Sequence, residues 1–181
     1  GDVVGGLGRR ALLGLLPGLR EEYTPDAVVV NGENAAGGLG ITPKIADELL
    51  DAGVDVITLG NHTYRQKAIY GYLDDEPRIL RPVNYLKSQP GHGSCLVEMG
   101  TTGLKLGVVN TSGNLFLQAG RPMFAETDAA VGDLIRRVNA GEPGAQDALF
   151  ASAYGELRKL ARARLHHGGR RLGHQRVGTL E

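Results

Sequence analysis

Cysteine is nearly absent: Cys95 stands alone among 181 residues, so no disulfide can form within the chain and a reducing compartment is expected. Excess charge is absent too, since 20 Lys and Arg balance 20 Asp and Glu. A neutral chain has no overall electrostatic reason to seek nucleic acid or an anionic membrane. No apolar run approaches the ~20 residues that span a bilayer, and no secretory leader is visible. These absences predict a cytoplasmic protein with no membrane partner. An initiating Met is missing as well. The opening Gly1-Asp2-Val3-Val4-Gly5 reads as the tail of a strand whose earlier part would lie centrally in a sheet. What is present suffices for a core: 41% of residues are hydrophobic, and 28 glycines point to many tight turns. The length allows one domain, or one and a fragment of a second.

The stretch from Val28 to Gly38 organises the rest. A β-branched run, Val28 to Val30, ends in Asn31-Gly32 and then in Glu33-Asn34, two side chains able to hold a metal. Small residues and glycines follow, which let the backbone turn closely around whatever those side chains hold. The pattern recurs at Val56-Ile57-Thr58-Leu59-Gly60-Asn61-His62. In open α/β sheets, sites form beyond the carboxyl ends of the strands. Three strand ends carrying Asp2, Glu33-Asn34 and Asn61-His62 are therefore expected to converge. Each has a structural alternative: Asp2 as a loose terminal residue, Glu33-Asn34 as the capping side chains of a turn, His62 as a helix-start cap.

Between these ends the periodicities predict an α/β order. Arg9 to Glu22 reads as a helix with Leu12, Leu13, Leu15, Leu16 and Leu19 on a broad apolar face, kinked or shortened at Pro17. Asp26 to Asn31 and Val54 to Leu59 read as strands buried on both faces. Thr42-Pro43 opens a helix as N-cap and first helical residue, with Ile45, Leu49 and Leu50 inward and Gly53 closing it. Tyr64 to Leu73 reads as a third helix. Ser94 to Val97 and Leu104 to Asn110 form a hairpin about Gly100 to Gly103.

These residues carry a family resemblance. Gly1-Asp2-Val3-Val4-Gly5, Asn31-Gly32-Glu33-Asn34-Ala35-Ala36-Gly37-Gly38, Gly60-Asn61-His62-Thr63 and Arg81-Pro82-Val83-Asn84-Tyr85, in that order and spacing, resemble the YmdB-like branch of the calcineurin-type metallophosphoesterases. The likeness runs to about Pro122. It implies a metallophosphoesterase-type α/β sandwich, truncated at both ends, and a metal-dependent phosphoesterase acting on small phosphodiesters, with cyclic nucleotides a substrate class of this branch. It also implies two divalent cations, Mn or Fe and also Zn, matching the hard oxygen and imidazole donors. Glu33 would bridge them, Asp2 and Asn34 would help hold one, and Asn61 the other. His62 would stay off the metals and protonate the leaving oxygen, a task suited to a group titrating near neutral pH. The family completes its centre with histidines from an Asp-Phe-His-type stretch and a Gly-x-His-x-His stretch. Nothing after Phe124 matches either. Self-association into a homo-oligomer is left open.

The character changes near Phe124. Up to Ala125 there are 11 Lys/Arg and 13 Asp/Glu; from Glu126 onward there are 9 and 7, and strand patterning disappears. The predicted division is a partial metallophosphoesterase domain over 1–125, a helical segment over 126–167 and a disordered basic tail over 168–181. Val131, Leu134, Ile135 and Val138 fall at helical spacing, and Gly141-Glu142-Pro143-Gly144 breaks the run. The segment from Asp133 to Ala161 resembles the first helices of extracytoplasmic-function-like RNA polymerase sigma factors. A sigma-like transcription component and an inactive hybrid are therefore the alternatives to the enzyme. A fusion, a frameshift or a mis-joined reading frame would each give such a chain. The tail, with seven Lys/Arg against two Asp/Glu from Glu156 to Glu181, would add only weak, sequence-independent affinity for nucleic acid. His92 reads as a solvated turn residue, and His166, His167 and His174 as solvated tail residues.

Overall fold

The computed structural model describes residues 2–99, 104–114 and 120–140. The elements run α1 (Gly5–Tyr23), β1 (Val29–Asn31), α2 (Pro43–Asp51), β2 (Val56–Thr58), α3 (Ile69–Asp75), β3 (Ile79–Leu80), β4 (Ser94–Met99), β5 (Leu104–Val109) and α4 (Met123–Asn139). The chain divides into two compact units, Gly1–Leu134 and Ile135–Glu181. The expected helix beyond Gly144, the basic tail and the hairpin turn at 100–103 lie outside the described residues.

β1, β2 and β3 form a parallel sheet in that order. Val30 pairs with Ile57, and Ile57 with Ile79. Asp2 makes an isolated parallel bridge to Asn31 on β1, and Val3 N–H donates to the Asn31 carbonyl at 2.9 Å. The opening residues therefore do continue a strand direction, as expected. β4 and β5 pair antiparallel from Ser94↔Val109 to Met99↔Leu104.

Successive strand residues point to opposite faces, and both faces of the central strand are covered. Val30, Ile57 and Ile79 join Ile41, Leu49, Ile69 and Leu73 in one core under the helices. Val56 and Leu80 turn the other way, onto Cys95, Val97 and Val108 of the hairpin. That is why Val56 and Ile57, adjacent on β2 and facing opposite ways, are both apolar and fully buried. β1 departs from the expectation: Val29, on the hairpin side, stays exposed because the hairpin cluster reaches Val56 and Leu80 but does not include it.

Local signals mark α2 as expected. Thr42 is its N-cap and accepts from Ile45 N–H at 3.4 Å, Pro43 is its first residue, and Gly53 follows with φ +99°. Two helices differ from their periodicity. α1 begins four residues earlier than expected and runs through Pro17 unbroken. Its inward stripe is narrow: Leu16 is buried and Leu12 and Leu13 pack partly, while Leu15 and Leu19 face solvent. α3 starts at Ile69 rather than Tyr64. Tertiary partners claim the residues before it, since Tyr64 Oη donates to the Pro90 carbonyl at 2.8 Å and Gln66 Nε2 to the Leu39 carbonyl at 2.7 Å. β3, only two residues long, has no periodicity to announce it.

α4 starts at Met123, earlier than the change of composition suggested. Asn114 Oδ1 accepts from Met123 N–H at 3.1 Å at its start. Within the first unit, Leu134 is buried over Gly107 of β5; a Cβ at Gly107 would stand 3.2 Å from Leu134 Cδ1. Leu134, three turns into α4, thus rests on the hairpin.

A candidate metal-binding site at the strand ends

The chain leaves β1 in a tight Asx turn, with Glu33 N–H donating to Asn31 Oδ1 at 3.0 Å. Gly40 N–H closes the following loop on the Glu33 carbonyl at 2.6 Å, and Gly38 N–H on the Asn34 carbonyl at 3.0 Å. Gly37, Gly38 and Gly40 all have φ between +65° and +93°, a region L-residues with side chains rarely adopt. The glycines after Glu33-Asn34 are therefore what lets the loop fold back under these two side chains. Gly5 N–H also donates to the Asn34 carbonyl, at 2.9 Å, which ties the start of α1 to the same loop.

β2 ends in a second turn. Thr63, fully buried, donates through both its N–H (3.1 Å) and its hydroxyl (2.6 Å) to the Gly60 carbonyl. This fixes Asn61 and His62 at the tip. Glu33 reaches across from β1, and its Oε2 accepts from His62 N–H at 3.2 Å. The approach is close enough that a Cβ at Gly60 would lie 2.6 Å from the Glu33 carboxylate carbon. Glycine at 60 is the cradle that admits the carboxylate.

Asn34 stands between two others. Its Nδ2 donates to Asp2 Oδ2 at 2.8 Å, and its Oδ1 lies 2.6 Å from His62 Nδ1. Four of the five expected residues, Asp2, Glu33, Asn34 and His62, are thus linked by hydrogen bonds. Asn61 sits on the same turn, exposed, with no side-chain hydrogen bond among the described residues. The convergence follows from topology: parallel neighbours end on one side of the sheet, and Asp2 lies beside the end of β1.

Sequence reasoning singled out the Arg81–Tyr85 motif without giving its residues work. Asn84 is fully buried. Its Nδ2 donates to the Ser112 carbonyl at 2.8 Å, and its Oδ1 accepts from Ser112 N–H at 3.0 Å. Tyr85 reaches the site, with Oη donating to the Gly60 carbonyl at 3.4 Å. Burial, and after it the charge of Glu33, pushes the Tyr85 phenol above its usual range. Asn110, just past β5, donates from Nδ2 to the carbonyls of Leu59 at 2.6 Å and Leu80 at 2.8 Å. Only the spacing of a folded sheet brings Asn110 to that position, so no local signal could have found it.

The model of the YmdB-like protein family matches residues 1–141. The chain belongs to that family. The match extends past Pro122 and takes in α4. A relative from Bacillus subtilis (strain 168), a 2′,3′-cyclic-nucleotide 2′-phosphodiesterase, is 39% identical over 137 residues, which are 76% of this chain and 51% of the relative. Among solved structures, a hypothetical protein from Thermus thermophilus superposes with a TM-score of 0.66 at 36% identity, covering 73% of this chain and 50% of that one. A phosphatase from Mycoplasma pneumoniae does so at 0.63 and 30%, covering 74% and 49%. The chain thus spans about half the length of these proteins, and the fold it shares with them is the partial metallophosphoesterase α/β fold.

Proposed function

We propose that this chain carries the strand-end half of a metal-dependent phosphodiesterase centre for small phosphodiesters, with 2′,3′-cyclic nucleotides the first candidates. The observation that carries this reading is the meeting of Asp2, Glu33, Asn34 and His62 within hydrogen-bond reach at the ends of β1 and β2. The name of the Bacillus subtilis relative favours the cyclic nucleotides.

The donors present fit a divalent cation in kind. Asp2 and Glu33 offer carboxylates, Asn34 and Asn61 amide oxygens, and such hard ligands suit Mn or Fe, with Zn accepted where imidazole joins. They fall short in number, since no group of three or more His, Cys, Asp or Glu able to hold a metal stands among the described residues. Glu33, cradled by Gly60, together with Asp2, Asn34 and Asn61, would hold the cations. Bound cations would supply the positive charge that lets water ionise near neutral pH and that offsets the phosphate. The protein's own work lies in His62: held by its backbone and by Asn34, it gives a proton to the leaving oxygen as the phosphorus–oxygen bond breaks.

Calorimetric titration of manganese into the 181-residue chain tests the donor set. We expect weak binding that is lost in Glu33→Gln, falls in Asn61→Ala and persists in His62→Ala. Binding indifferent to Glu33→Gln would overturn the reading. Turnover of a generic phosphodiester and of a 2′,3′-cyclic nucleotide should be slow or absent, because losing several ligands exceeds the ~10–100-fold cost of a single second-shell change. Two tightly bound ions with rapid turnover would instead mean that other histidines of the chain complete the centre.

A further inference from the structure

The outer side of α1 is as ordered as its inner side. Leu7, Ala11, Leu15, Leu19 and Tyr23 follow one another at intervals of four, the spacing that lines side chains up along one ridge of a helix. All five are exposed, Leu7 by 77%, Leu15 by 63% and Tyr23 by 66%. A Cβ at Gly14 or Gly18, on the flank of this ridge, would meet nothing within 4 Å. The result is a continuous apolar ridge ~24 Å long, which scattered surface leucines do not make. The charges of α1 are arranged in a pattern of their own. Arg9 turns inward to the Ala35 carbonyl and Glu48, and Arg20 to Asp55. Arg10 near the start and Glu21-Glu22 in the last turn stay exposed, with no ion pair among the described residues. Two acids at a helix C-terminus oppose the helix dipole, so α1 taken alone gains nothing from them.

We propose that this face of α1 pairs with the same face of a second copy of the chain, the two helices running antiparallel about Leu15. The ridge is symmetric about that residue: Ala11 and Leu19 lie four positions to either side, and Leu7 and Tyr23 eight. A self-complementary patch of this kind is what a two-fold interface requires, and ridges of residues four apart interdigitate in the commonest class of helix packing. Charge fixes the direction. Arg10 and the Glu21-Glu22 pair stand five to seven positions from Leu15 on opposite sides. Antiparallel pairing therefore brings the basic end of each helix to the acidic end of the other, twice by symmetry. Parallel pairing would set acid against acid and base against base. The same complementarity gives Glu21 and Glu22 the partner that α1 alone denies them. One helix pair buries less than the ~1,200 Å² of a stable interface, so the dimer is weak and forms at micromolar concentrations. It depends on neither metal nor turnover.

Sedimentation equilibrium of the full chain, from low to high micromolar concentration and at low salt, reads the pairing directly. We expect a mass that climbs from 19.2 kDa toward twice that value. Leu15→Glu sets two like charges at the two-fold axis and should leave a monomer throughout; because Leu15 is exposed, its circular dichroism should match the parent. Arg10→Glu should weaken the dimer about tenfold, as should Glu21→Arg with Glu22→Arg, since each turns two attractions into repulsions. All three reversals in one chain should restore it, and so should an equal mixture of the two weakened chains. These charge variants keep the test open even if Leu15→Glu fails to fold, and high salt should level them with the parent. A dimer untouched by Leu15→Glu, or reversals that do not rescue one another, would overturn the proposal. So would a chain that stays monomeric into the high micromolar range. Flotation of that monomer with anionic vesicles, lost in Leu15→Glu, would assign the ridge to a lipid surface instead.

Discussion

Gly32 and Gly60 lie just past the ends of β1 and β2, and a side chain at each would meet very different neighbours. A Cβ at Gly32 would come within 2.8 Å of Ile57 Cγ2 and 3.2 Å of Ile41 Cδ1, both fully buried. Neither can retreat, so Gly32→Ala should cost about 1–3 kcal/mol, as overpacking does, and lower the urea midpoint. At Gly60 the obstacle is the far end of the Glu33 side chain, which can swing away. Gly60→Ala should therefore stay within about 0.5 kcal/mol of the parent in stability yet lose manganese binding as completely as Glu33→Gln. Equal losses of stability in the two variants would refute the distinction. Tyr64 adds a pH dependence. Burial pushes its phenol from 10.0 up to about 12. A raised folded value favours the neutral form, so this contribution is fully present below pH 10 and fades as pH climbs toward 12. Urea midpoints should drop across that window, and the drop should be shallower in Tyr64→Phe.

Helix ends and interiors offer opposed expectations that one instrument can check. Pro17 lies inside α1, where proline removes the bond to the Leu13 carbonyl and crowds the preceding turn. The helix persists because Leu12, Leu13 and Leu16 anchor it on the core; packing outweighs propensity. Pro17→Ala should therefore stabilise the chain, by up to about 3 kcal/mol, with a higher calorimetric Tm. Thr42→Ala removes the cap of α2 and should do the reverse. Its bond is long at 3.4 Å, so the loss belongs at the lower end of the roughly 0.5–2 kcal/mol seen for such caps.

At the scale of the whole first unit, the parallel sheet and the hairpin are joined by polar side chains as well as by the Val56, Leu80 and Cys95 cluster. Asn110 is the tie: its Nδ2 serves the carbonyls of Leu59 and Leu80, its N–H donates to the Gly93 carbonyl at 3.0 Å, and its own carbonyl accepts from Val83 N–H at 2.7 Å. Asn110→Leu keeps the size but strands the Leu59 carbonyl, worth about 1–3 kcal/mol when buried without a partner, while the Leu80 carbonyl keeps its bond from Leu59 N–H at 2.8 Å. We expect a loss of that size and faster amide exchange at Ile57 and Leu59, whereas Val29, at the open side of β1, should change little. Unaltered exchange at β2 would show that the hairpin is held by its apolar contacts alone.

By itself the sequence determined the residue types at the strand ends, the apolar runs leading to them and the cap and stop of α2, because each of these is a local property of neighbouring residues. Glu33-Asn34 and Asn61-His62 were legible as ligand pairs since each follows a β-branched run and a glycine. Tertiary structure decided the rest. The two-residue β3 exists only because β2 offers it an edge. α3 is short because Pro90 and Leu39 claim Tyr64 and Gln66, and Leu15 and Leu19 face water because α1 lays only one narrow stripe on the core. The chain from Asp2 through Asn34 to His62 belongs to this second kind: its members are 32 and 28 residues apart in sequence, and only parallel pairing, which ends neighbouring strands on one side, brings them within a hydrogen bond.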